Sequence, residues 1–135
     1  LSNRVLDHWM HQQDIRRAVK RPGGLAGPGG AHALRAFSRS LPYILGKRIG
    51  APSGTTVVLD VSGEHPATVG ATVGEDGRGA ALDSVPADPS SRIAMDFETY
   101  IILAGGRRTP EQVTTSVAGD TGLAEAVLAN LAVTP

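Results

Sequence analysis

The spacing of apolar residues changes several times along the chain, and each change predicts a new element. Val5, Leu6, Trp9, Met10, Ile15 and Val19 recur at helical spacing within residues 2–19. Ser2 or Asn3 suits the N-cap of that helix, and Arg16, Arg17 and Lys20 complement its C-terminal dipole. Pro22 ends the pattern. A second helical pattern runs from Ala31 to about Ile49, with Leu34, Phe37, Leu41, Ile44 and Leu45 on one face. Pro42 has no N–H to give, which predicts a kink or a restart with Ser40 as the cap. After the turn GAPSG the period shortens to two. Thr55, Val57, Leu59 and Val61 alternate with Thr56, Val58, Asp60 and Ser62, the pattern of a strand. Residues 67–73 and 78–84 predict two more strands, joined by the turn Gly74-Glu75-Asp76-Gly77, and residues 91–96 a fourth.

The period then lengthens again. Asp96 caps a helix carrying Phe97, Tyr100, Ile101, Leu103 and Ala104, which Gly105-Gly106 terminates. Pro110 opens a short turn, and residues 114–118 predict an edge strand. Asp120 or Thr121 caps a last helix bearing Leu123, Ala126, Val127, Leu128 and Leu131. Strands grouped between helices, without βαβ alternation, predict an α+β fold. Residues 21–30 (RPGGLAGPGG) hold five Gly and two Pro, which predicts a linker there and divides the chain into a helix at 1–20 and a domain at 31–135.

Composition narrows the function classes. With no Cys there is no disulfide framework, thiolate zinc site or cysteine nucleophile, a composition that fits a cytoplasmic location. No apolar run reaches the roughly 18 residues of a membrane-spanning helix, and the first residues contain Asp7 and Asp14 rather than a signal-peptide core. The chain begins without Met, and its expected origin is a longer protein. Thirteen basic and thirteen acidic side chains cancel, yet residues 1–50 carry nine Lys/Arg against two Asp, and residues 51–135 four Arg against eleven Asp/Glu. The basic third lacks any nucleic-acid recognition motif, so it predicts a surface for an acidic partner or anionic ligand, with no nucleic acid and no membrane as partners.

Few residues are arranged for chemistry. Gly46-Lys47-Arg48 lacks the spacing of a P-loop, the Gly pairs at 23–24 and 29–30 follow a helix and not a strand, and no Gly-x-Ser-x-Gly elbow occurs. The one dense cluster of ligand-type side chains is Asp7, His8, His11 and Asp14. Asp7 and His11 are four apart and His11 and Asp14 three apart, so a helix brings them to one face. A carboxylate and an imidazole at that spacing can share a divalent ion, and the same spacing suits a solvated surface pair. His8, His32 and His65 are weaker candidates.

The run VLDHWMHQQDIRRA, residues 5–18, resembles the last bundle helix of the mycothiol-dependent maleylpyruvate isomerase family, a branch of the metal-binding DinB-like four-helix bundles. The remainder, through LPYILGKRIGAP, MDFETYIILAGGRR and GDTGLAEAVLANLAVTP, resembles the C-terminal domain of such proteins, similar to sterol carrier protein 2 (SCP2). The resemblance implies an α+β SCP2-like domain with four or five mainly antiparallel strands flanked by helices, behind one helix of a bundle whose other helices lie upstream of Leu1. It implies a divalent metal, zinc, held by His11 and Asp7 with a His from an earlier helix. Asp7 stands where the family has Glu. Asp14 matches the family's D-I-R and takes a supporting or helix-anchoring role, and Arg107, next to Arg108, matches an arginine that reaches the active site. Mycothiol is then the cosubstrate, adding as a thiolate to a small electrophilic or anionic substrate.

Two further readings accompany this one. Phe97, Tyr100, Ile101 and Leu103 could line an apolar ligand pocket of a non-catalytic binding module, or simply pack in the core. A helix parted from its bundle with Trp9 and Met10 exposed predicts self-association, a homo-oligomer.

Overall fold

A computed structural model describes residues 2–18 and 27–132, with the side chains at 2–5, 7 and 16–18 outside the described set. The chain forms helix α1 (Ser2–Ala18), helix α2 (Pro28–Ser38), a short helix α3 (Leu41–Tyr43), and a π turn at Ile44–Arg48. Strands β1 (Thr56–Ser62), β2 (Ala67–Val73), β3 (Gly79–Ala81) and β4 (Ser91–Asp96) follow. Helix α4 (Phe97–Ala104), strand β5 (Ser116–Gly119) and helix α5 (Thr121–Ala129) complete an α+β architecture.

The five strands lie in the order β3-β2-β1-β4-β5. Three pairings are antiparallel, but the central pair, β1 with β4, is parallel, so the sheet is mixed where a mainly antiparallel one was expected. Hydrophobic alternation states which residues share a face and says nothing of strand direction. A reciprocal clamp joins the two strands where both start. The Thr56 N–H donates to Ser90 Oγ at 3.0 Å and the Ser90 N–H donates to Thr56 Oγ1 at 2.9 Å. Strand β3 is shorter than the expected 78–84: the Leu82 N–H still bonds Gly70 O, but its side chain lies over Gly70, where a Cβ would come within 2.6 Å of Leu82 Cδ1.

One face of the sheet supplies Val57, Leu59, Ala71, Val73, Ile93 and Met95 to a core shared with the helices. The opposite face carries Asp60, Thr68 and Arg92. There the Arg92 Nε–H bonds Asp60 Oδ2 at 2.5 Å and holds the Asp60 carboxyl below the usual carboxylate range. The two caps expected of Asp96 and Asp120 form: Asp96 Oδ1 accepts from the Thr99 N–H at 2.7 Å, and Asp120 Oδ1 from the Leu123 N–H at 3.0 Å.

The N-terminal third departs most from expectation. The Ser2 and Asn3 side chains expected to cap α1, and the linker residues 21–26, fall outside the described set. Pro28, Gly29 and Gly30 are the first turn of α2, with Pro at the position its fixed φ favours. The single helix expected to about Ile49 is broken into α2, α3 and the π turn. It restarts at Leu41 as Pro42 requires, though the Ser40 side chain makes no capping bond. Trp9 and Met10, expected to be exposed, are 6 % and 3 % exposed. The chain's own elements cover them: the Trp9 ring lies 6.4 Å from that of Phe97 at the start of α4, and Gly29 approaches the indole so closely that a Cβ there would be 2.1 Å from Cδ1. Gly29, one of the glycines that suggested a linker, lets α1 and α2 meet.

Candidate functional site

Helix α1 turns two unlike faces outward and inward. Leu6, Trp9, Met10 and Gln13 are buried, whereas His8, His11, Gln12 and Ile15 are exposed at i, i+3, i+4, i+7 spacing and form one stripe. His11 makes no hydrogen bond or ion pair among the described residues. Asp7 belongs to the same helix, but its side chain lies outside the described residues. Among the described residues no three His, Cys, Asp or Glu side chains gather as a metal-binding group.

The end of α4 meets the next turn of α1. Gly106 takes a φ of +71°, the left-handed conformation glycine favours, and the Arg107 N–H bonds Ile102 O at 2.9 Å while the Gly106 N–H bonds Leu103 O at 3.1 Å. These two bonds are a Schellman cap, and they fix where Arg107 leaves the helix. Gly105 makes the room: a Cβ there would be 2.4 Å from Met10 Cε. Asp14, one turn beyond Met10 on the same face, then receives the guanidinium. Arg107 donates from Nη2 to Asp14 Oδ2 at 3.0 Å and from Nε to Oδ1 at 3.2 Å, and its Nη1 donates to Gly105 O at 2.6 Å.

Of the residues singled out in the sequence, the structure therefore joins Asp14 to Arg107, 93 positions later, and leaves His11 open one turn before Asp14. Both members of the pair are about one-third exposed or less, at 35 % for Asp14 and 27 % for Arg107. Three of the five guanidinium N–H groups are used, which leaves two to meet a ligand. The joining of these two residues was not legible from spacing. The signal for it was Gly105-Gly106 before an Arg, a helix stop that fixes where the Arg departs. His8 is exposed, and His65 packs edge-on against Phe97 with ring centroids 4.9 Å apart. Phe97, Tyr100, Ile101 and Leu103 all belong to the core cluster.

Two clefts open elsewhere. A shallow one of about 420 Å³ lies by Asp60, Pro66, Thr68 and Ala94 on the solvent face of the sheet. A larger one of about 740 Å³ lies between the α3 and π-turn segment and the β2–β3 turn. No helix among the described residues is long and apolar enough to cross a membrane.

Residues 31–126 match a known family described as MDMPI C-terminal domain. No curated protein sequence matches the chain. Solved structures with a similar backbone include a ubiquinone synthesis protein, UbiJ-SCP2, at 13 % identity and TM-score 0.49, over 75 % of this chain and 97 % of that one. Sterol carrier protein 2 like 2 from Aedes aegypti is similar at 15 % identity and TM-score 0.47, over 70 % and 96 %. Sterol carrier protein 2 from Yarrowia lipolytica is similar at 15 % identity and TM-score 0.43, over 79 % and 80 %.

Proposed function

The chain belongs to the family of MDMPI C-terminal domains through residues 31–126, and from that premise we propose that it is the C-terminal part of a mycothiol-dependent, divalent-metal-binding enzyme of the maleylpyruvate isomerase kind. Its reaction class is thiol addition to a small electrophilic substrate that carries a carboxylate, followed by isomerisation or transfer. The observation that supports this reading is the Asp14–Arg107 pair, which ties a cation of the C-terminal domain to the α1 residue three positions after His11.

The residues fit the group this reading calls for as part of its ligand set. His11 offers an exposed imidazole with no partner among the described residues, and Asp7, four residues earlier, is a carboxylate of the type zinc accepts. In this reading α1 is the last helix of a DinB-like bundle, and the remaining ligands come from helices that precede it. A bound divalent metal supplies Lewis-acid stabilisation of the mycothiol thiolate. Arg107 binds and orients the substrate carboxylate through its two remaining N–H groups. Asp14 and the Gly105 carbonyl hold the guanidinium in place, which makes Asp14 a positioning residue.

The test is zinc binding by the full-length protein, followed calorimetrically. One site is expected, weakened at least about a hundredfold in His11→Ala, since even the outer partners of metal ligands are worth roughly 10–100-fold. Equal titrations for the wild type and His11→Ala would overturn the reading.

A further inference from the structure

We propose that the 740 Å³ cleft beside the β2–β3 turn is a binding site for a small organic anion carrying two or more negative charges and a planar group. Three cations from three separate segments line it: Arg39 at the C-terminal end of α2, Lys47 in the π turn, and Arg78 just before β3. All three are exposed, and none has an ion-pair partner among the described residues. The one acid in the lining, Asp76, turns Oδ1 to the backbone N–H of Arg78 at 3.0 Å. Three positive charges against one negative leave a local excess that the protein itself does not neutralise. An Arg or Lys near a helix C-terminus has an ordinary role in complementing the helix dipole. That role does not account for Arg78, which belongs to a hairpin turn.

The walls are built to stay open and in place. Gly79 lies so close to the Pro42 carbonyl that a Cβ would come within 1.8 Å of its oxygen, and a Cβ on Gly46 would be 2.5 Å from the Gly79 nitrogen. Backbone therefore packs on backbone at the base of the cleft, fixing the segment that carries Lys47 against the hairpin that carries Arg78. Ile44–Arg48 forms a π turn, with the Ile49 N–H bonded to Ile44 O at 2.9 Å, a rare backbone form that recurs at functional sites.

Size and lining define the ligand further. A cleft of this volume lies within the range of about 300–1,000 Å³ usual for small-molecule sites, far more than an inorganic phosphate fills. Tyr43 is 58 % exposed on the cleft wall, although large aromatic rings usually bury much of their surface. A planar ring lying on Tyr43 would cover it, while phosphate or carboxylate oxygens meet Arg39, Lys47 and Arg78 through charge-assisted bonds. This cleft lies apart from the His11 and Arg107 region. Arg39 follows Gly29, the α2 residue that meets Trp9, by ten residues, or about 15 Å of helix.

AMP and inorganic phosphate serve as probes, titrated into the isotopically labelled chain by NMR. Saturable AMP shifts at residues 39–47 and 76–79 are expected, with AMP binding tighter than inorganic phosphate. Arg39→Gln, Lys47→Gln and Arg78→Gln are each expected to weaken AMP about tenfold, as loss of a hydrogen bond to a charged group does. Tyr43→Ala is expected to bring AMP down to the affinity of phosphate. All four side chains are exposed, and an unchanged amide spectrum in the free variants verifies their fold. No saturable shift at millimolar AMP, shifts away from the cleft, or affinity unchanged in the three charge variants would each overturn the site. Equal binding of AMP and phosphate by the wild type would overturn the planar-group assignment. His11→Ala reports on the metal reading alone, so failure of one proposal is distinguishable from failure of the other.

Discussion

Burial acts strongly on the hydroxyl of Tyr100. The residue is 1 % exposed, packs edge-on against Phe37 with ring centroids 6.3 Å apart, and has only a 3.5 Å contact from its hydroxyl to Ser38 Oγ. Burial pushes its pKa up to about 12, and the Ser38 contact opposes this weakly. The unfolded chain releases this proton near pH 10, so between about 10 and 12 the folded state holds more protons than the unfolded one. Stability is therefore unaffected by this group below about pH 10, falls as pH rises above it, and is lower by about 2–3 kcal/mol near pH 12. Urea unfolding near pH 9 and pH 11 is expected to show a wild-type loss larger than that of Tyr100→Phe by about 1 kcal/mol. Equal losses would mean that the hydroxyl is not the source. Asp60 has the opposite sign: the hydrogen bond from Arg92 lowers its pKa, so its contribution is present above the usual carboxylate pKa and disappears as pH falls. At this scale the sequence was a good guide to caps, because Asp96 and Asp120 act on amides only three residues away. It was a poor guide to partners that lie 93 positions apart.

Helices α1 and α2 show how an element can be misread when glycine is taken only as a sign of flexibility. A Gly/Pro-rich stretch has two physical readings, since the missing Cβ that loosens a free chain also permits two helices to touch. The structure chooses the second for Pro28 to Gly30. Gly29→Ala is expected to drive a Cβ into the Trp9 indole, which Phe97 backs, and overpacking of this kind costs about 1–3 kcal/mol. Better helix propensity of Ala returns up to about 1 kcal/mol, for a net destabilisation of about 1–2 kcal/mol. Denaturant unfolding measures the loss, and the emission of the single tryptophan reports whether its surroundings move. An unchanged midpoint and spectrum would contradict the packing. The restart at Leu41 was legible because proline forbids the bond it would have to make, whereas the π turn that follows has no sequence signature.

On the scale of the whole molecule, the contacts that dock α1 to the domain include Trp9 on Gly29 and Phe97, Met10 in the space above Gly105, and, one turn later, Asp14 on Arg107. The burial of Trp9 and Met10 removes the exposed apolar surface from which self-association was expected. Coupling across the ion pair is expected to be about 1 kcal/mol in a double-mutant cycle of Asp14→Ala and Arg107→Ala, the upper range for a partly exposed pair with bidentate geometry. Additive effects on unfolding would show that the pair does not anchor the helix. The exposed stripe of His8, His11, Gln12 and Ile15 takes no part in the apolar contacts of Trp9 and Met10.

The sequence by itself determined what depends on near neighbours and on period: the α+β class, the span of β2 and β4, the aspartate caps, the break at Pro42 and the glycine end of α4. Its resemblance to a known family was also legible, because LPYILGKRIGAP and MDFETYIILAGGRR, both within residues 31–126, stand in the chain unaltered by folding. Only the tertiary structure decided the parallel pairing of β1 with β4, the burial of Trp9 and Met10, the union of Asp14 with Arg107, and the meeting of Arg39, Lys47 and Arg78 at one cleft. Each of these depends on the path of the chain between residues far apart in sequence, and residue periodicity carries no record of that path. The zero net charge conceals this division as well: Arg39 and Lys47 belong to the basic third, and Arg78 to the acidic remainder.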